Sequence, residues 1–317
     1  MRLRPLFAIL LLGVLPACGG GKDSVTPKVA ETQPAIDADP VALLPSGAMV
    51  IAKVDTKAMF TAGSVGGQVT LLAERMMPVG EEAGFKASRD LESAIVASYT
   101  LQGADLAAVL TGAFDEQKIA RAAETHTPTK AGGVLVASDY GGRRVYSVNN
   151  VGFTVLTPKT VVAGTETMIR RAIERIKDGR LERDQVPWML QTIETPNAAF
   201  AGAADFANQP IGAASVGMIP IGWLKGLKAV RLIGNFKDPG LNIAATLTYP
   251  DVNVARDSAD QVKRTAGMAN LFTVFGAPQL RNVDIKTQES DVQVTFAVDD
   301  QSLRTFLGSM QHYLTAK

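Results

Sequence analysis

The chain has one cysteine, Cys18, and two histidines, His126 and His312, among its 317 residues. A lone cysteine excludes an internal disulfide, and with so few soft ligands a Cys/His zinc site is excluded too. Neither histidine has a second ligand-type residue at metal spacing. His126 sits in a Thr-His-Thr-Pro loop and His312 near a helix C-terminus, where positive charge is welcome, so surface or capping roles are expected for both. Charge of one sign is also lacking, with 32 basic side chains against 31 acidic ones. So even a balance argues against nucleic acid as a partner and against a polybasic membrane reader. The apolar run from Pro5 to Val14 is about half the ~20 residues that a spanning helix needs.

What is present at the N-terminus is specific. Arg2 and Arg4 precede that apolar run, and Leu15-Pro16-Ala17-Cys18 follows it, the layout of an export signal. Leu15-Pro16-Ala17-Cys18 resembles the lipobox of bacterial lipoproteins. The resemblance implies that residues 1–17 are removed and that Cys18 becomes a lipidated first residue. An unlipidated lone thiol outside the cytoplasm would be a liability, and several acyl chains would hold the protein firmly where one would be marginal. The alternative is an ordinary cleaved signal with a free cysteine beside the cut. Gly19 stands where an Asp in that family commonly retains the protein at the inner membrane, so the outer membrane is implied if the cell has two. Loss of Arg2 and Arg4 leaves 30 basic against 31 acidic side chains, a formal charge of −1.

Residues 18–42 are rich in Gly, Pro, Thr, Asp and Lys without helical or strand periodicity, and are expected to form the lipidated end and a flexible tether. The rest is 46% apolar by whole-chain composition, enough for a core that must provide stability without disulfides. It reads as an internal duplication, residues 43–184 and 185–317, with the charged stretch Gly179–Gln185 near the join. Ala48–Asp55 and Ala198–Asp205 are strands ending in Asp. Ser93–Gln102 and Leu106–Thr111 correspond to Ala229–Phe236 and Leu241–Thr248, with Asp115 and Asp251 as N-caps of the helices that follow. Four short strands between Val134 and Ala163 and a helix from Thr165 match two strands, Val283–Thr287 and Val292–Val298, and a helix from Asp299. Short turns outnumber crossover helices. The expected fold is therefore α+β, two related lobes, each an antiparallel sheet covered by helices.

Chemical motifs are scarce. Ala213-Ala214-Ser215-Val216-Gly217 lacks the first glycine of a nucleophile elbow, and Gly63–Gly67 lacks the Lys-Ser/Thr ending of a phosphate loop. The acid pairs Asp115-Glu116 and Asp299-Asp300 sit at helix starts, where they balance the dipole. No EF-hand pattern occurs. Trp188 and Trp223, with Met189, Met218 and Ile219 nearby, are expected in the core, or else in a groove between lobes.

No catalytic, cofactor-binding or metal residue is assigned; the single site residue is Cys18. The body, over residues 43–317, resembles uncharacterised duplicated α+β lipoproteins of bacterial envelopes, a likeness that brings no active site with it. The expectation is a lipid-anchored envelope protein without catalytic activity, binding or scaffolding an envelope protein or a small ligand. The alternative is a hydrolase working with carboxylates, which predicts two facing acids, at least one with a raised pKa. A plain structural spacer is the third reading.

Overall fold

The structure is a computed structural model; it describes residues 29–63, 65–101, 105–129, 132–149, 151–211, 214–216, 219–237, 240–269 and 279–315. Cys18 and the export signal lie outside these. A helix α1 (Val29–Ala38) and a single turn (Pro40–Leu43) lead to strand β1 (Val50–Asp55), helices α2 (Thr56–Phe60), α3 (Gly66–Met76) and α4 (Ala87–Asp90), then β2 (Leu91–Ser98) and β3 (Leu106–Gly112). Helix α5 (Glu116–Glu124) precedes the meander β4 (Val136–Tyr140), β5 (Arg143–Val148), β6 (Val151–Thr157) and β7 (Thr160–Gly164), closed by α6 (Glu166–Lys177). After the short α7 (Pro187–Ile193) come β8 (Phe200–Asp205), a small hairpin of β9 (Ala214–Val216) and β10 (Ile219–Ile221), β11 (Ala229–Lys237) and β12 (Gly240–Thr248). The chain then continues through α8 (Val252–Ala269), β13 (Leu280–Gln288), β14 (Asp291–Asp299) and α9 (Asp300–Thr315).

The expected antiparallel α+β architecture is present, and among the described residues twelve strands join into one sheet in the order β13-β14-β12-β11-β8-β1-β2-β3-β7-β6-β5-β4. Read outward from the β8–β1 seam, the two directions repeat: β1-β2-β3-β7-β6 on one side, β8-β11-β12-β14-β13 on the other, with β4 and β5 added in the first half alone. When Val50–Asp55 is laid on Phe200–Asp205, the counterpart of Ala52 is Gly202, and Ala52 pairs with Gly202 across the seam. A pair made of a residue and its own counterpart marks an axis of approximate two-fold symmetry. The turns before the two strands agree as well, because Gly47 (φ 84°) and Asn197 (φ 60°) occupy the left-handed region that Gly and Asn tolerate best. Asp115 and Asp251 accept from backbone amides of the helices they begin, as the sequence predicts.

Side-chain alternation then decides which face each helix covers. On one face, α5 packs over Phe153, Val155 and Val161 in the first half, and α8 over Val230, Leu247, Val292 and Val294 in the second. On the other face, α6 and α7 cover Ile51, Ile95, Ala97, Val109 and Val162. Helix α9 occupies the place in sequence of α6 yet lies on the same face as α8, with Leu303 and Leu307 against Phe236, Leu241, Phe296 and Val298. The reason is in the strands. The face that α6 covers is apolar, while its equivalent in the second half presents Arg231, Asn235, Asn242, Thr246, Gln293 and Thr295, which gain nothing from a covering helix. Among the described residues no helix covers that face over β12 and β14, as antiparallel sheets allow.

The expected tether to residue 42 is corrected by the packing. Ile36, Val41, Leu43 and Leu44 are buried in the same cluster as α6 and α7, so the body begins well before residue 43. Pro34, Pro40 and Pro45 interrupt the segment, hiding its apolar spacing from a search for periodicity, whereas burial of four large aliphatics is worth several kcal/mol at ~1.5–3 kcal/mol each.

Candidate functional site

A connected polar network holds this N-terminal segment. Asp37 Oδ1 accepts from Thr157 Oγ1 (2.5 Å) and Thr160 Oγ1 (2.8 Å) at the β6–β7 turn. Arg183 Nε donates to Asp39 Oδ2 at 2.7 Å while its other arm reaches Glu194 at 2.7 Å. Arg175, on α6 and 3% exposed, donates to Ala42 O (3.2 Å) and Glu182 O (2.7 Å) and pairs with Asp184. The buried Gln185 amide donates to Leu44 O (3.2 Å) and Pro45 O (2.7 Å), and Tyr99 Oη adds a bond to Pro45 O at 2.9 Å. Burial pushes the Tyr99 hydroxyl pKa well up, so it remains a donor at any physiological pH. The charged stretch near the join of the halves is thus a clasp on the chain that arrives from the N-terminus.

Several hollows open elsewhere among the described residues, two of them of contrasting chemistry. The larger, about 620 Å³, lies at the start of α5, between the stacked rings of Phe85 and Phe114 (5.8 Å, 14°), the Arg89–Asp90 pair (2.6 Å) and the Asp115–Lys118 pair (3.2 Å). The hydrogen bonds of Arg89 hold the Asp90 carboxyl below the usual carboxylate range, and desolvation only partly opposes them. The lower-volume hollow, about 280 Å³, sits on the open face of the second half, lined by Ile233, Asn235, Asn242, Ala244, Asn282 and Thr295 among others.

The sequence-predicted residues fare differently. His126 is exposed, at φ 51°, with Nδ1 3.1 Å from Glu124 O, a turn residue. Ser215 is on β9, paired with Pro220 of β10 in the small hairpin, and Asp55 caps α2 through Ala58 N at 2.9 Å. No group of three or more His, Cys, Asp or Glu side chains suited to a metal ion occurs among the described residues. The tryptophans do not share a groove. Trp188 packs on the face covered by α6 and α7, with Arg231 5.0 Å above its ring, whereas Trp223 packs with α8 on the opposite face. Among the described residues the carboxyls with displaced pKa values, Asp90, Glu92, Asp115 and Asp299, all lie below their ordinary range. The principal cause in each is a hydrogen bond, from Arg89, Lys57, the Lys118 amide and the Ser302 amide respectively. Sequence reasoning missed the clasp and the smaller hollow; Asp, Arg and Gln spaced through 182–185 were the available signal for the first.

No described helix is long and apolar enough to cross a membrane. No family model matches the chain, and comparison with the curated proteins gives no match. Among solved structures the chain is similar to TP0453, an envelope protein of Treponema, in several crystal forms. Form III aligns with a TM-score of 0.55 and 10% identity, covering 86% of this chain and 98% of that one. Form IV gives 0.51 and 9%, covering 84% and 95%, and form I gives 0.50 and 13%, covering 86% and 97%. At such identities the likeness is one of fold: nearly the whole of TP0453 shares the architecture described here.

Proposed function

We propose that this protein is a lipid-anchored module of the bacterial envelope, held through Cys18 and acting by binding rather than by catalysis. The observation that carries the reading is the clasp. A segment that ends at a membrane anchor would transmit the anchor's position to the body only if its body-side end were fixed. Here three side chains of 175–185 (Arg175, Arg183 and Gln185) and the two threonines of the β6–β7 turn fix residues 37–45. From Cys18 to Val29, where α1 begins, a fully extended chain at ~3.3 Å per residue spans at most about 36 Å, which bounds how far α1 would stand from the lipid surface. The fold shared with an envelope protein supports the same reading. The hydrolase alternative asks for a carboxyl with a raised pKa, and the displaced carboxyls above are shifted the other way.

The test is metabolic labelling with radioactive palmitate, followed by fractionation of the envelope. Label in the wild-type protein that disappears in Cys18→Ala, with release of the body to the soluble fraction, is the expected result. Label retained by the variant, or a wild-type protein recovered from the cytosol at full precursor length, would overturn the reading.

A further inference from the structure

The two halves treat one equivalent position in opposite ways. Ala97 pairs with Ile51, and Ile233 pairs with Ala201, the counterpart of Ile51. Two residues further along the chain stand Tyr99, just past the end of β2, and Asn235 on β11. Tyr99 is buried beneath the N-terminal segment and bonded to Pro45, so the first half plugs its own site. At Asn235 the side chain is small and the 280 Å³ hollow opens instead.

The chemistry of that hollow is selective. Asn235 lies directly across from Asn242, and Ala244 directly across from Thr295, while the β-bulge between Arg281 and Asp284 brings Asn282 to the rim at φ 52°. Among the described residues no charged one is in the lining. Asn235 Oδ1 is buried without a hydrogen-bond partner, an unmet acceptor beside the hollow. Asn242 spends its Nδ2 on Lys237 O (2.8 Å) and Gly240 O (3.2 Å), which leaves its oxygen free to accept from elsewhere. Ile233, Ala244 and Ala297 give an aliphatic floor. An ion entering here would lose water without gaining a counter-charge, whereas a neutral ring with hydroxyls at its edge and C–H bonds on its face satisfies both parts.

We infer that the hollow around Asn235 binds an uncharged sugar. This rests on the binding-module reading and names its ligand class. A sugar ring at ordinary per-atom efficiency binds with a millimolar dissociation constant. The test uses the full chain purified from membranes in a sugar-free detergent, with glucose, galactose, mannose and N-acetylglucosamine as probes by saturation-transfer NMR and calorimetry. Glucose 6-phosphate and glucuronic acid are the charged controls. At least one neutral sugar binds, and the charged controls do not. Asn235→Ala weakens binding about tenfold or more, and Asn235→Tyr, which copies the plug of the first half, abolishes it. Circular dichroism melting shows that both variants are folded. No contact with any of the four sugars, binding unchanged in both variants, or equal binding of the charged controls would each overturn the inference. Failure here leaves palmitate labelling of Cys18 untouched, and loss of labelling leaves sugar binding intact, so the two readings fall separately.

Discussion

Replacing Arg175 with leucine is the most direct test of the clasp. The guanidinium is almost wholly buried and serves three partners at once: Asp184, Ala42 O and Glu182 O. Leucine fills part of the volume but leaves two carbonyls without donors and one carboxylate without its cation. Breaking a buried ion pair from one side costs about 3–5 kcal/mol. The Asp184 side chain is 32% exposed, so water takes up part of the loss and the low end applies, about 3 kcal/mol. At roughly 2–3 °C per kcal/mol for a chain of this size, the melting temperature falls by about 6–9 °C. Hydrogen exchange localises the damage. The amides of Ala42 and Leu44, bonded to Asp39 O and Val41 O, lose protection, while those of β11 and β12 keep theirs. The contrasting variant is Arg183→Ala, whose side chain is 39% exposed; it costs under about 1 kcal/mol. A melting temperature for Arg175→Leu within a degree or two of wild type, or loss of protection spread evenly over the sheet, would refute the claim that this network holds the segment down.

Two further outcomes follow from the packing. In Gly234→Ala the added methyl would stand 2.1 Å from Cζ of Phe200, whose ring lies over that glycine, so strain of about 1–3 kcal/mol is expected in urea unfolding, relieved in Gly234→Ala/Phe200→Leu. Asp90 has a folded-state pKa below its unfolded value. Its contribution to stability is therefore complete above the ordinary carboxylate range and is lost as pH falls through the depressed folded value, below about pH 4. Urea midpoints measured from pH 5 downward should drop less steeply for Asp90→Asn than for wild type; equal slopes would contradict the role given to the Arg89 pair.

Much of the architecture was legible from local chemistry. Asp55, Asp115, Asp205 and Asp251 punctuate corresponding strand ends and helix starts, and turns such as Gly141-Gly142 separate the strands where predicted. What was not legible depends on pairs distant in sequence. The union of the halves into one sheet is set by the β1–β8 register, which involves small residues with little pattern of their own, Ala52, Ala201 and Gly202. The seating of α9 depends on comparing two sheet faces, one with Ile95 and Val109, the other with Arg231 and Thr295. The separation of Trp188 from Trp223 follows from which side of the sheet each neighbouring turn climbs, and no spacing encodes that. Asn235 gave no signal, since an asparagine in a strand is remarkable only once its partners are known.

The seam through Ala52 and Gly202 also speaks to origin. A polypeptide holding a single copy of the unit would end in a naked edge strand whose shape matches itself turned by half a revolution. Such an ancestor would have assembled as a symmetric pair of identical subunits. Joining two such copies in one chain would make that encounter intramolecular, and the two halves could then differ, one wrapped by the N-terminal segment and the other not.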